Sequence, residues 1–145
     1  MDELFPSFQT LKTNQGLLDL RSPVVMGILN ATPDSFYEGS RVRRMDETLT
    51  LATRMVQEGA KMLDIGGHST RPGAEAVSPQ EEMDRILPLI ERLHSEFPGI
   101  ILSVDTYRLA VAQAAIAAGA GIWNDIGGGN MDEGVFDWVI DKQIP

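Results

Sequence analysis

From residue 24 onward the chain repeats one unit four times: an apolar run, a polar loop and a helical stretch. This rhythm narrows its possible folds more than any other feature. The apolar runs are 24–29, 62–65, 100–104 and 121–123. The continuous run 24–29 suits a strand buried on both faces. Between the runs the period changes. Over 46–58, Leu51, Ala52, Met55 and Val56 share one helical face, and Gly59 stops the helix. Ser78-Pro79-Gln80-Glu81 is a capping box with proline at the first helical position. Met83, Ile86, Leu87, Ile90, Leu93 and Phe97 follow at helical spacing, and Pro88 should kink that helix by removing a backbone donor. An alanine-rich helix over 108–118 stops at Gly119, and a last helix over 131–141 carries Val135, Phe136, Val139 and Ile140 on one face. Residues 142–145 read as the approach to another strand. Units of roughly 30 residues are what right-handed βαβ crossovers need, so the fold class is α/β with parallel strands. An open doubly wound sheet and part of a (β/α)8 barrel both fit. No G-x-G-x-x-G follows the first strand, which counts against a dinucleotide-binding sheet. A full barrel takes roughly 250 residues, so 145 residues would supply half of one.

Ahead of the repeat, 4–22 alternate apolar and polar residues around Asn14-Gln15-Gly16. This predicts a short hairpin with Phe8, Leu11, Leu18 and Leu20 on its faces. The expected division is a hairpin cap over 1–23 and the repeating body over 24–145, with no linker between them. The net charge of −9 argues against nucleic acid or an anionic membrane as partner. There is no cysteine, hence no disulfide framework and no thiolate chemistry. With no apolar run of membrane-spanning length and no basic start to the N-terminus, a cytoplasmic protein is expected.

The ends of the apolar runs carry polar side chains. They are Asn30, then Asp64 with the loop Gly66-Gly67-His68-Ser69-Thr70-Arg71-Pro72-Gly73, then Asp105, then Asn124 and Asp125. In parallel α/β folds these carboxyl ends lie on one face, where ligands bind. An aspartate at such a place is also a common helix N-cap, so the weight rests on the joint pattern. Asn30, Asp105 and Asn124 together suit a flat heterocycle rich in N–H and C=O groups, because carboxylates accept and carboxamides do both. Thr70 and Arg71 suit an anion, which a guanidinium can hold bidentately.

Four motifs now stand in order: Gly27-Ile28-Leu29-Asn30-Ala31-Thr32-Pro33-Asp34-Ser35-Phe36, Gly67-His68-Ser69-Thr70-Arg71-Pro72-Gly73-Ala74, Ser103-Val104-Asp105-Thr106 and Asn124-Asp125-Ile126. Together they resemble the dihydropteroate synthase family from about Val24 to the C-terminus. The resemblance implies the first four βα units of a (β/α)8 TIM barrel, preceded by the N-terminal β-hairpin. It implies joining of 6-hydroxymethyl-7,8-dihydropterin diphosphate to p-aminobenzoate, giving dihydropteroate and diphosphate, a step of folate synthesis and the target of sulfonamides. Laid on this sequence, it makes Asp105 and Asn124 ligands of the pterin ring, with Ile126 packed against it. Asn30 would help bind Mg²⁺ with the diphosphate. Asp34 and Phe36 would lie on a first loop that closes over the site, and Thr70, Arg71 and Pro72 would help form the p-aminobenzoate pocket. A homodimeric parent enzyme is implied as well.

Two local departures accompany the resemblance. His68 stands where the family usually has Glu, and Tyr37-Glu38-Gly39-Ser40 replaces Ser-Asp-Gly-Gly. Glu38 would then supply the catalytic carboxylate that stabilises a pterin cation, together with Asp34 and Arg71 in the catalytic set. His68 is expected to be a neutral loop imidazole. The large departure is length. Strands five to eight are absent, and a fragment of a longer protein is expected. Two other readings stand beside the synthase: a non-catalytic pterin-binding half barrel, and a pterin-dependent methyltransferase, against which the Ser-Thr-Arg-Pro-Gly loop counts.

Overall fold

The computed structural model describes residues 9–31, 38–68 and 77–145, with the backbone alone over 38–42. Two strands, β1 (Thr10–Thr13) and β2 (Gly16–Asp19), form an antiparallel hairpin. Then come β3 (Met26–Asn30), α1 (Glu38–Gln57), β4 (Met62–Gly66), α2 (Pro79–Glu96), β5 (Ile101–Asp105), α3 (Leu109–Ala117), β6 (Ile122–Asn124) and α4 (Val135–Lys142). The four later strands form one parallel sheet in sequential order, β3-β4-β5-β6.

One face of this sheet packs on the helices. Leu29, Leu63, Ile65, Leu102 and Val104 point there and are fully buried, against Ala52 of α1, Ile86, Ile90 and Leu93 of α2, and Val111, Ala112 and Ala115 of α3. Each buried aliphatic side chain contributes about 1.5–3 kcal/mol. The apolar stripe of α2 was legible from its spacing. Its N-cap is Ser78, whose Oγ accepts from the Glu81 N–H at 3.2 Å, and the helix runs on through Pro88, which is exposed. On that side the carbonyl freed by proline meets solvent.

Among the described residues, the opposite face is covered at its lower end. There Leu18 of the hairpin packs on Ile101 and Ile122, with Leu11, Val24 and Met62 around them. The hairpin turn is also pinned by polar contacts. Gln15 Oε1 accepts from the Leu102 N–H at 2.9 Å, Gln15 Nε2 donates to the Ile100 carbonyl at 3.2 Å, and Asn14 Nδ2 donates to the Ala120 carbonyl at 2.9 Å. Gly121 makes this approach possible, since a Cβ there would lie 2.6 Å from Gln15 Oε1.

Three expectations need correction. The run 24–29 is not buried on both faces: Met26 and Ile28 are exposed, Ile28 at 59%, because no described residue lies opposite this edge of the sheet. The first helix starts at Glu38, not near residue 46, so Glu38 opens a helix rather than sitting in a loop. The last helix starts only at Val135, because Gly134 before it takes φ 74°, outside helical geometry. Along it Val135 is buried and Val139 half-buried, while Phe136 and Ile140 face outward, so the four apolar residues do not form one covered stripe.

Replacing Gln15 by alanine orphans the Leu102 N–H and the Ile100 carbonyl. We expect a loss of about 1–3 kcal/mol in urea unfolding; an unchanged midpoint would mean the hairpin turn contributes nothing to the sheet.

Candidate functional site

Parallel register sets the site. It aligns Asn30, Gly66, Asp105 and Asn124 as Cα partners across the four strands. All four face the side away from the helices, at the carboxyl edge of the sheet. Asn30 and Asn124 are exposed and Asp105 is half-buried. Gly66 puts no side chain between Asn30 and Asp105, and a Cβ there would lie 3.5 Å from Asp105 Oδ2. Two residues earlier on the same face is a second row, Ile28, Asp64, Ser103 and Ile122. Asp64 is only 4% exposed, and its Oδ2 accepts from Asn124 Nδ2 at 3.2 Å.

Burial pushes the Asp105 carboxyl above its ordinary range, and the negative charges of Asp64 and Glu82 push the same way, with Asp125 adding to them; His68 opposes them. Asp105 is not a helix cap. The Arg108 N–H before α3 is taken by Thr106 Oγ1 at 3.2 Å, and the Leu109 N–H by Asp132 Oδ2 at 3.0 Å. Asp125, by contrast, is structural: its two carboxylate oxygens accept from the Gly127 and Gly129 N–H groups at 2.7 and 2.6 Å, which holds the glycine turn. Ile126 stands out from the same turn, 75% exposed.

Asp34, Phe36, Thr70, Arg71 and Pro72 lie outside the described residues, and of Glu38 only the backbone is described. The residues flanking 69–76 are firmly tied. The Gly67 carbonyl accepts from Arg85 Nη1 at 3.0 Å, and Arg85 also pairs with Glu81 at 2.7 Å. The Val77 carbonyl accepts from Arg108 Nη2 at 2.6 Å, while Arg108 Nη1 pairs with Glu82 Oε2 at 2.5 Å. The Arg108 guanidinium lies 5.0 Å above the Tyr107 ring, and His68 meets that ring edge-on at 5.8 Å. Sequence reading missed Glu82, Arg85 and Arg108. One signal was available: Glu82 occupies the buried stripe of α2, four residues before Ile86, and is 1% exposed. A carboxylate there requires a cation partner.

Arg108→Met would leave Glu82 buried and unpaired, which should cost about 3–5 kcal/mol in chemical unfolding; a loss near zero would mean solvent replaces the guanidinium. Asp105 gives a pH test. A carboxyl whose folded pKa is raised favours the folded state below its ordinary value of 3.8, and that contribution is lost as pH rises through the folded value. Asp105→Asn should therefore raise the melting temperature at neutral pH and lose that gain near about pH 4. A lower melting temperature at pH 7 would contradict this electrostatic picture.

Comparison with known proteins shows which family and fold the chain shares. Residues 26–145 match the family described as pterin binding enzymes. The dihydropteroate synthase of Bacillus subtilis is 45% identical over 138 residues, 94% of this chain and 48% of that protein. The solved structure of Xanthomonas albilineans dihydropteroate synthase with 4-aminobenzoic acid superposes with a TM-score of 0.84 at 44% identity, covering 94% of this chain and 50% of that one. Burkholderia cenocepacia dihydropteroate synthase complexed with 7,8-dihydropteroate gives 0.74 at 45% identity, with 90% and 42% covered. The chain thus spans about half the length of the relatives it matches. Its fold is the first four β/α units of a (β/α)8 barrel behind an N-terminal hairpin. On the match over 26–145, the chain belongs to the pterin-binding enzyme family.

Proposed function

We propose that this chain is the pterin-binding half of a dihydropteroate synthase, which condenses 6-hydroxymethyl-7,8-dihydropterin diphosphate with p-aminobenzoate. The observation that carries the reading is the row Asn30, Gly66, Asp105 and Asn124 at the carboxyl edge of the sheet. It offers a carboxylate and two carboxamides to a flat ring, with no side chain between them at Gly66. The B. subtilis relative and the complexes with 4-aminobenzoic acid and 7,8-dihydropteroate support the substrates named. A Yersinia pestis relative solved with a sulfonamide drug supports sensitivity to that class.

In this reading Asp105 accepts from ring N–H groups and Asn124 supplies a donor and an acceptor beside it. Ile126, exposed above the rim, covers a ring face once a ligand is seated. Asn30 fits a share in holding Mg²⁺. Its carboxamide oxygen is a hard ligand at an exposed strand end. Among the described residues no three His, Asp or Glu side chains cluster as a cage. One protein oxygen plus phosphate and water oxygens is the usual magnesium arrangement. Bound there, the metal would neutralise charge on the departing diphosphate. Asp34 and Glu38 supply carboxylates to the electron-poor pterin carbon, and Phe36 excludes water. Thr70, Arg71 and Pro72 hold the aromatic amine, with Arg71 facing its carboxylate. Cytoplasmic location and a homodimeric parent enzyme belong to the same reading.

The test is calorimetric titration of the folded chain with the pterin diphosphate and Mg²⁺. Micromolar binding is expected, and a folded chain that binds neither pterin nor its diphosphate would defeat the reading for this half. In a protein carrying the whole barrel, Arg71→Ala should raise the KM for p-aminobenzoate with little change for the pterin; equal losses would remove Arg71 from that pocket. Asp105→Asn should weaken pterin binding by about 1–3 kcal/mol.

A further inference from the structure

Beneath the rim lies a carboxylate for which the proposed reaction has no stated use. Asp64 sits mid-strand in β4, is 4% exposed, and has no ion pair among the described residues. One oxygen, Oδ2, takes the N–H of Asn124 from two strands away, while Oδ1 is shielded and has no partner. Its register partner Ser103 is buried too, and its hydroxyl is likewise unpartnered. In this bond Asp64 Oδ2 is the acceptor and the carboxamide N–H the donor. Asp64 therefore forces the Asn124 carboxamide to turn its NH₂ downward and its Oδ1 toward the open rim. From this geometry we infer that Asp64 is a positioning residue that fixes the hydrogen-bond polarity of Asn124, and so selects ligands that present N–H donors at that point of the rim. The inference rests on the pterin reading for its ligand, though not for its geometry.

Several features support it. The carboxamide of Asn124 has no other fixed partner among the described side chains, so its two ends are otherwise interchangeable. With Asp105 beside it, an outward Asn124 oxygen makes two adjacent acceptors, which match a ring edge carrying an amino group and a ring N–H. If the carboxamide were reversed, an N–H would face those donors, and the mismatch would leave a desolvated donor on each side. The negative charge of Asp64 also contributes to the raised pKa of Asp105, so keeping Asp64 here carries an electrostatic cost. A hydrophobic residue would fill the Ile28–Ile122 row without that cost.

Asp64→Asn is close in shape and keeps the volume, but it can both donate and accept, and so no longer dictates the orientation of Asn124. The ligand-free protein is tested first, by following the side-chain amide protons of Asn124 by NMR in wild type and Asp64→Asn, with circular dichroism as a check on folding. The resonances should move and broaden in the variant; unchanged resonances overturn the inference whatever the protein binds. If Asp64→Asn does not fold, Asp64→Glu gives the same readout with the carboxylate displaced. The second measurement is binding of the pterin substrate and of an analogue whose ring N–H is replaced by an acceptor. Asp64→Asn should cut the preference for the donor-bearing ring about tenfold. In an Asn124→Ala background, Asp64→Asn should cost nothing further, because its effect passes through Asn124. Additive losses would mean that Asp64 touches the ligand directly and would overturn the positioning role. Absence of pterin binding by wild type would sink the proposed function while leaving the NMR result to decide this inference.

Discussion

Strand register is the constraint on which the rest of this structure depends. Side chains alternate across a strand, so Asn30, Asp105 and Asn124 share a face only because Asn30 is level with Gly66, Gly66 with Asp105, and Asp105 with Asn124. A slip of one residue in any pair would send that strand's polar end into the helix layer and an apolar neighbour such as Val104 to the rim. The register is held from the other side. Leu29, Leu63, Ile65, Leu102 and Val104 are fully buried against the helices, and exposing even one of them costs more than a single rim hydrogen bond returns. Apolar packing on one face thereby fixes polar chemistry on the other.

That chemistry comes with electrostatic strain. Burial raises the cost of ionising Asp105 most, and the nearby carboxylates of Asp64 and Glu82 add to it. Glu82 is answered by Arg108, whose fork also binds the Val77 carbonyl. Among the described residues, Asp64 is answered only by an amide N–H. The two cases fit different purposes. A paired, buried Glu82 fastens a helix to the root of a loop, whereas an unpaired Asp64 under an open rim makes sense where a hydrogen-bonding ring is to be received. Concentrating uncompensated charge at a binding face at the expense of stability is a general trade in proteins.

Much of the architecture could be read along the chain. The alternation of apolar runs with helical stripes leads to parallel β/α units, and the Ser78 box placed the start of α2 correctly. The candidate rim residues were legible too, as polar residues closing apolar runs. What could not be read was which polar residue does which task. Asp105 and Asp125 look alike as strand-end aspartates, yet one faces the open rim and the other is consumed by two glycine N–H groups. The full extent of α1 was hidden because the Gly39-Ser40 pair reads as a turn, although its backbone is helical here. The exposure of Ile28 was hidden because a strand's own sequence does not say whether anything lies opposite it.

By itself, then, the sequence determined the period of its elements, the start of α2 at its Ser78 cap, and the residue types at the strand ends, since these depend on local backbone preference and on burial of one face. The tertiary structure alone decided that Asn124 reaches across to Asp64, that Arg108 clasps Val77 and Glu82, and that Gln15 pins the hairpin to Ile100 and Leu102. Those contacts join residues 60, 31, 26, 85 and 87 positions apart. No local pattern encodes them. They arise because the packed strands and helices bring distant polar groups together where water is partly excluded, and each group must find a partner or bear the cost of having none.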